Sequence, residues 1–596
     1  MTKFLRLLGF LWGVSVSIHA FSHDYYVSHG RFFHPKYSKD FSHFSWANPL
    51  APKGGKITLV AREGNFDSFN PYILKGTPPA GMELLHVSLM RTTPDDSNVA
   101  YPYLAESVYV SDDEKSVLFK LREDATFHDG SSITSKDVVF TFDLLKRFGA
   151  PRYAIPLEAV KSVVRVDRYT VQFTFTTPSR LLPFILAQLP ILSKDFYRSY
   201  SFQETNLVPP LGSGPYAIDS FRPGSFISYR RIRDWWGRAI PSVQGQYNFD
   251  KVTYRYFESF ETIARALAQH KVDHYQQPAI SRWLQDSHFS LAPKGGAVIK
   301  KDIKNPSSQG LSALFINTRQ PFLKDRRIRK ALNLLFNFEG LNHQSFSNHC
   351  KRNKSIYMDT GFSAEGRPSK QEMALLSGYD KSLYAPEALR NEFHPPVHST
   401  AGVLRLHFEE AVRLVQSAGW VLQKGSLIHP QFGAFKLRFL FSSASEEKQF
   451  QDYFATLKQF GVEVRSEILG PTPFLVRVKN FDYDIVMFSI PSFSTPGLEQ
   501  KNLWTSQAAV LPGSFNLAGI QNHLVDDLVD KIIHAKTLEQ LHLYTSLLDR
   551  VISWGYYMIP LWNSPLIHVA YRDKFSFIPA AENLSSPYAW WKKKLS

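Results

Sequence analysis

Between residues 435 and 489 the chain reads strand, helix, strand, strand, and that order constrains the fold more than any other feature. Apolar residues crowd 435–441, a helical repeat fills 446–460 and stops at Gly461, and extended segments follow at 462–468 and 483–489. Parallel strands cannot be joined by a tight turn, so strand, helix, strand is a crossover unit of a mostly parallel sheet. A helix at about 409–418, ended by Gly419, precedes this unit, and helices at about 525–535 and 538–553 close it. A short buried strand at 314–316 opens it, followed by a helix that Asp325 caps, with Ile328, Leu332 and Leu335 on one face. The Pro-, Gly-, Ser- and His-rich stretch 342–399 reads as long loops with one or two helices.

The first half has the same mixed character. Residues 55–61 form a strand, and 64–71 a loop rich in turn-forming residues. Residues 117–121 alternate as a half-buried strand does, and His128-Asp129-Gly130 is a turn. Thr134 and Asp137 fit an N-cap and its third position, which predicts a helix over 135–147. Strands at 160–166 and 170–175 pair around Asp167-Arg168, and a strand at 252–257 precedes a helix at 261–270. Alternation of this kind packs as α/β layers. A last strand, 558–562, and the tail beyond it find no place in the second sheet, so the chain is expected to return to the first half. Crossings near Leu311 and Pro560 then make a two-strand hinge between two α/β lobes, which suits a clamp. The expected division is a signal at 1–20, lobe one at 21–100, its small sheet-plus-helix subdomain at 101–211, lobe one again at 212–310, lobe two at 311–560 and a return segment at 561–596.

Lys3, Arg6, the apolar run 7–18 and the short residues near Ala20 have the layout of a cleaved secretory signal. No later stretch reaches the roughly 18 apolar residues of a membrane helix. Cys350 is the sole cysteine, which rules out an intrachain disulfide, a cysteine-based zinc site and a lipid anchor at the cleavage point. A free periplasmic protein is expected. The net charge of +16 is scattered through pairs such as Arg230-Arg231 and Arg326-Arg327. Without a basic tract or a nucleic-acid motif it reads as solvated surface, and no nucleic-acid partner is expected.

Catalytic signatures are missing. Gly54-Gly55-Lys56 lacks the upstream glycine and the following Ser or Thr of a phosphate loop. No nucleophile elbow, zinc helix motif or full serine–lysine motif set of penicillin-binding enzymes occurs. His128-Asp129 is better explained as a turn than as a metal or acid–base pair, and the irregular spacing of His23, His29, His34 and His43 does not make a metal site. No catalytic residue, metal or cofactor is expected.

Several strings carry a resemblance: Phe127-His-Asp-Gly-Ser-Ser-Ile-Thr-Ser-Lys-Asp-Val138, Gly212-Ser-Gly-Pro-Tyr216 with Asp234-Trp-Trp-Gly237, and Asn317 with Asp325-Arg-Arg-Ile-Arg-Lys-Ala331. In this order they resemble extracellular solute-binding proteins of family 5, the oligopeptide and dipeptide receptors of ABC importers. Asn48-Pro-Leu-Ala-Pro-Lys-Gly-Gly55, Phe66-Asp-Ser-Phe-Asn-Pro71, Lys75-Gly-Thr77 and Ser494-Thr-Pro-Gly-Leu-Glu-Gln500 are most similar to the YejA-type branch, importers of peptides and of microcin C-like antibiotics. The resemblance implies a two-lobe, three-part periplasmic binding protein of type II, a monomer that encloses a peptide and delivers it to an inner-membrane permease. It also implies an Asp four residues before a Pro, to pair with the ligand's amino group. Ser492 stands there when the proline is Pro496. Either Glu499 supplies that charge from nearby, or the ligand has a formylated amino end, in which case formylated peptides should bind at least as well as free ones.

Loop position after strands, with polar or aromatic chemistry, selects Asn65, Phe66, Asp67 and Thr77 in lobe one and Ser489, Phe493 and Glu499 in lobe two as ligand contacts, with Ser492 added by the resemblance. A non-peptide solute such as a sugar, haem or metal complex is the alternative ligand, because fold does not fix ligand. A periplasmic hydrolase is the third reading.

Overall fold

The computed structural model describes residues 24–28, 32–61, 64–277, 280, 283, 298–304, 310–491, 495–579 and 587–593. The signal segment and the positions Ser492 and Phe493 lie outside the described residues.

Three main sheets organise the chain. The large sheet has seven strands, in the spatial order Val298–Lys304, Leu566–Arg572, His274–Gln277, Lys56–Val60, Lys251–Arg255, Phe226–Arg231 and Tyr216–Arg222. Lys56–Val60 runs parallel to both of its neighbours and the outer pairs are antiparallel. A small antiparallel sheet orders Ala105–Val110, Ser116–Leu121, Thr170–Phe175 and Val160–Arg165. Against it packs helix Ser135–Phe148, which buries Val138, Phe142 and Leu145. Its start is the expected capping box: Thr134 and Asp137 bond each other's backbone N–H or that of the first turn. Such a box typically contributes about 1 kcal/mol.

The five-stranded sheet orders Glu463–Ile468, Lys436–Phe441, Ile485–Ile490, Leu311–Ile316 and Met558–Pro560. It departs from expectation in two ways. Lys436–Phe441 is parallel to both neighbours, but Leu311–Ile316 runs antiparallel to Ile485–Ile490 and to Met558–Pro560, so the sheet is mixed and not mostly parallel. Only the crossover unit forces parallel pairing, and Leu311–Ile316 does not belong to it. Met558–Pro560, expected to find no place here, is an edge strand of this sheet with all three residues buried. The chain moves between the large and the five-stranded sheet twice: after Val298–Lys304, and between Met558–Pro560 and Leu566–Arg572.

Helix Ala401–Ser417 begins two turns earlier than its apolar pattern predicts. Its first turns expose Leu404 and Leu406, so no buried stripe marks them, and Thr400, accepting a bond from Val403 N, is the start signal. The expected single helix at 446–460 is instead a short turn, Ala444–Glu447, a 3₁₀ turn, Lys448–Phe450, and helix Gln451–Gln459. The stretch 342–399 is held by a buried ion pair, Arg550 to Glu372 at 2.9 Å, with Arg550 also donating to the carbonyls of Glu365 and Gly366.

His86 is buried beside Tyr72, whose hydroxyl lies 3.2 Å from Nδ1. Burial lowers its imidazole from 6.5 to about 3. The unfolded chain therefore binds this proton at a higher pH than the folded one, so the contribution to stability is full above pH 6.5 and is lost between pH 6.5 and about 3. His86→Gln is expected to flatten the acid limb of melting temperature against pH over that window. An unchanged limb would show that His86 does not govern it.

Candidate functional site

The seam between the lobes is built from the loop that follows Lys56–Val60 on one side and, on the other, from helix Pro471–Lys479 and the segment that follows Ile485–Ile490. On the lobe-one side, the loop after Lys56–Val60 is braced across its neck. Thr77 N donates to Asp67 Oδ1 at 2.6 Å, and Asp67 N and Ser68 N donate to the Thr77 carbonyl at 3.0 and 3.3 Å. Gly76 makes this possible: at φ +81° a Cβ would sit 2.7 Å from both Ser68 Cβ and Thr205 Cγ2. Asn65 is exposed, and its Oδ1 accepts from Phe66 N at 2.7 Å. Phe66 is only 1% exposed and packs on Phe69 and Tyr256, so its ring anchors the loop in the core and presents no face to the seam.

Lobe two meets lobe one at several points, two of them on this loop. Thr77 Oγ1 lies 3.4 Å from Thr472 Oγ1, and Lys479 Nζ donates to the Leu74 carbonyl. Burial pulls the Lys479 ammonium below its usual range. Thr495 Oγ1 donates to Asn98 Oδ1 at 2.8 Å, and Arg180 donates to the Lys536 carbonyl at 3.0 Å. Helix Pro151–Leu157 of the small subdomain packs on helix Glu499–Trp504. The lobes are thus closed on one another.

Ser489, next to last in the strand Ile485–Ile490, is exposed, with its hydroxyl 3.1 Å from that of its cross-strand partner Ser312. Glu499 begins the seam helix. Its Oε1 accepts from Gly497 N at 2.7 Å and from Gln500 Nε2 at 2.8 Å. Burial raises its carboxyl above the usual range, and no described cation is paired with it. Gln500 in turn accepts from the Tyr357 hydroxyl at 2.8 Å and from Trp504 Nε1 at 3.0 Å. Tyr357, Gln500 and Trp504, with Gly310 and Pro491, line a crevice of about 20 Å³ beside the crossing, room for one water.

Asp67 and Thr77 are therefore brought together, while Ser489 and Glu499 stand on the facing lobe. Leu74, Asn98, Thr472, Lys479 and Thr495 were not selected from sequence. Contacts such as Thr77 to Thr472 join residues 395 positions apart, and no local pattern marks them. Trp235 and Trp236 both donate to the Ser213 carbonyl, and His128 Nε2 lies 2.9 Å from the Gly214 carbonyl, so these sequence landmarks tie the chain to itself. Cys350 is buried, its thiol pushed up to about 12. Among the described residues no helix is long and apolar enough to cross a membrane.

Residues 99–510 match the profile of bacterial extracellular solute-binding proteins, family 5 middle. The chain belongs to this family. Two similar relatives come from Agrobacterium fabrum. The probable peptide-binding protein YejA is 32% identical over 575 residues, covering 94% of this chain and 92% of its own length. The peptidoglycan-binding protein YepA is 31% identical over 581 residues, covering 94% of each chain. Among solved structures, the periplasmic binding protein DppA from Helicobacter pylori, in complex with the peptide STSA, superposes with a TM-score of 0.71 at 19% identity, covering 91% of this chain and 99% of that one. The two-lobe, type II binding-protein fold of the family is therefore the fold of this chain, and the family is one of binding proteins.

Proposed function

We propose that this chain is the periplasmic receptor of an ABC importer, which captures an oligopeptide or peptide-like solute between its lobes and hands it unchanged to an inner-membrane permease. The observation that carries this reading is the seam: segments that follow strands of both lobes meet there and bring the hydroxyls of Thr77, Thr472 and Thr495 to it, polar groups of the kind that bind an extended backbone. Membership of the family and the likeness to a probable peptide-binding protein support it. A ligand that touches both lobes only when they are closed shifts the equilibrium toward closure, which tells the permease that cargo is aboard.

Within this reading, Asn65, Asp67 and Thr77 face the ligand from lobe one and Ser489, Ser492, Phe493 and Glu499 from lobe two, while Phe66 positions its loop. Glu499 receives the ligand's ammonium group, because a half-buried carboxylate without a cation is stabilised by one. The signal is removed near Phe21, and lobe two spans 311–560, with the tail returning to lobe one. The likeness to YepA favours a second reading, in which the peptide is that of a peptidoglycan fragment.

Native mass spectrometry of gently purified protein is the test. Adducts whose fragmentation yields amino-acid residues are expected, and the same peptides incubated with excess protein should be recovered intact. Haem or metal-chelate adducts with no peptide adduct, or cleaved peptides, would overturn the proposal.

A further inference from the structure

Lobe two carries a second groove, at the end of its sheet away from the seam. The polarity follows from topology. Ser489, Thr495 and the crossing near Leu311 lie where Ile485–Ile490 ends and Leu311–Ile316 begins. The groove is lined by residues at the opposite end: Gln320 beyond Leu311–Ile316, Lys436 and Arg438 at the start of Lys436–Phe441, Arg465 early in Glu463–Ile468, and Asp484 just before Ile485–Ile490. Its volume of about 380 Å³ is that of a small-molecule site.

One wall is aromatic. Trp420, buried, stacks on Phe435 with ring centroids 4.5 Å apart and on Phe432 at 6.3 Å, and Phe322 closes the cluster. Phe432 stands in the turn between the short strands Ser426–His429 and Gly433–Ala434, so its ring is half-buried, as is that of Phe322. The facing wall is charged but neutralised. Lys436 and Arg465 both reach Glu463, at 3.0 and 2.7 Å, and Arg438 reaches Asp482 at 3.0 Å and Asp484 at 3.3 Å. With every cation already on a carboxylate, the groove has no spare charge for an anion, and it offers both donors and acceptors. Gln320 adds its carboxamide to the rim.

We propose that this groove is a site for a neutral saccharide. A sugar ring has an apolar C–H face, which an aromatic ring covers, and an edge of hydroxyls that both donate and accept. Paired guanidinium and carboxylate groups beside the half-exposed rings of Phe322 and Phe432, the latter backed by His429 with centroids 4.6 Å apart, meet those two faces at once. A compact anion would have to break the ion pairs, and an alkyl ligand would leave the charged wall without water or partner. The site is separate from the seam and does not depend on what the seam binds.

Saturation-transfer NMR of the full mature chain with N,N′-diacetylchitobiose and, separately, maltose as probes tests this. The expected result is saturable transfer strongest at ring C–H protons, weakened at least tenfold in affinity by Phe432→Ala and by Arg465→Ala, and unaffected by a saturating peptide. Gln320→Ala, a rim change that removes no packing, is expected to weaken binding severalfold, and equal melting temperatures establish that the variants are folded. Absence of transfer from both sugars at millimolar concentration, transfer unchanged in folded Phe432→Ala, or transfer abolished by peptide would each overturn the proposal.

Discussion

Protein carrying Thr77→Cys and Thr472→Cys is expected to lose peptide exchange almost completely when oxidised and to regain it on reduction. The two hydroxyl oxygens lie 3.4 Å apart across the seam, one from each lobe. Sulfurs in their place are within reach of a disulfide after a small adjustment, since such bonds join Cβ atoms about 3.5–4.5 Å apart. The native cysteine does not compete, because Cys350 is buried and its thiol is held far from the ionised form that attacks a disulfide. If a guest enters only when the lobes part, a covalent bridge at this point closes the door. The measurement is release of a fluorescent peptide into an excess of unlabelled peptide, with and without reductant. Exchange at the unmodified rate in protein whose bridge is shown by mass to be complete would mean that the two threonines sit on surfaces that never separate.

The second large effect concerns the amino end of the guest. Glu499→Gln keeps the shape of the side chain and its bonds from Gly497 N and Gln500, yet removes the charge. Losing one partner of a buried, hydrogen-bonded charge pair costs about 2–5 kcal/mol, roughly 30-fold or more in affinity. Peptides with a free amino group should therefore bind at least 30-fold more weakly to the variant, while N-formylated peptides should be nearly indifferent to it. Calorimetric titration with matched free and formylated peptides measures both arms. A variant that binds free peptides as tightly as the parent would instead support formylated cargo and leave Glu499 with only its bonds from Gly497 N and Gln500.

How much of this was legible in the sequence depends on the range of each interaction. The capping box of Thr134 and Asp137 acts over three residues, and its helix was read to within a residue at each end. The paired strands Val160–Arg165 and Thr170–Phe175 announce themselves through a short turn. Helix Ala401–Ser417 was read short because Leu404 and Leu406 face water, so burial and pattern part company there. Met558–Pro560 was misjudged because its partner, Leu311–Ile316, lies some 245 positions away, and no local property records such a pairing. The same holds more strongly at the seam. Asp67 and Thr77 belong to one loop and could be chosen by their chemistry, whereas Thr472, Lys479 and Thr495 matter only because a distant segment folds back against them.

A single cluster of buried apolar side chains runs from Leu182 and Phe184 of the small subdomain to Leu498, Leu503 and Trp504 of lobe two. Parting the lobes hydrates some of that surface, which water meets with a rise in heat capacity. Capture of cargo should therefore carry a negative heat-capacity change larger than the guest's own apolar area explains, and the grip of the receptor should respond to temperature as a small folding reaction does.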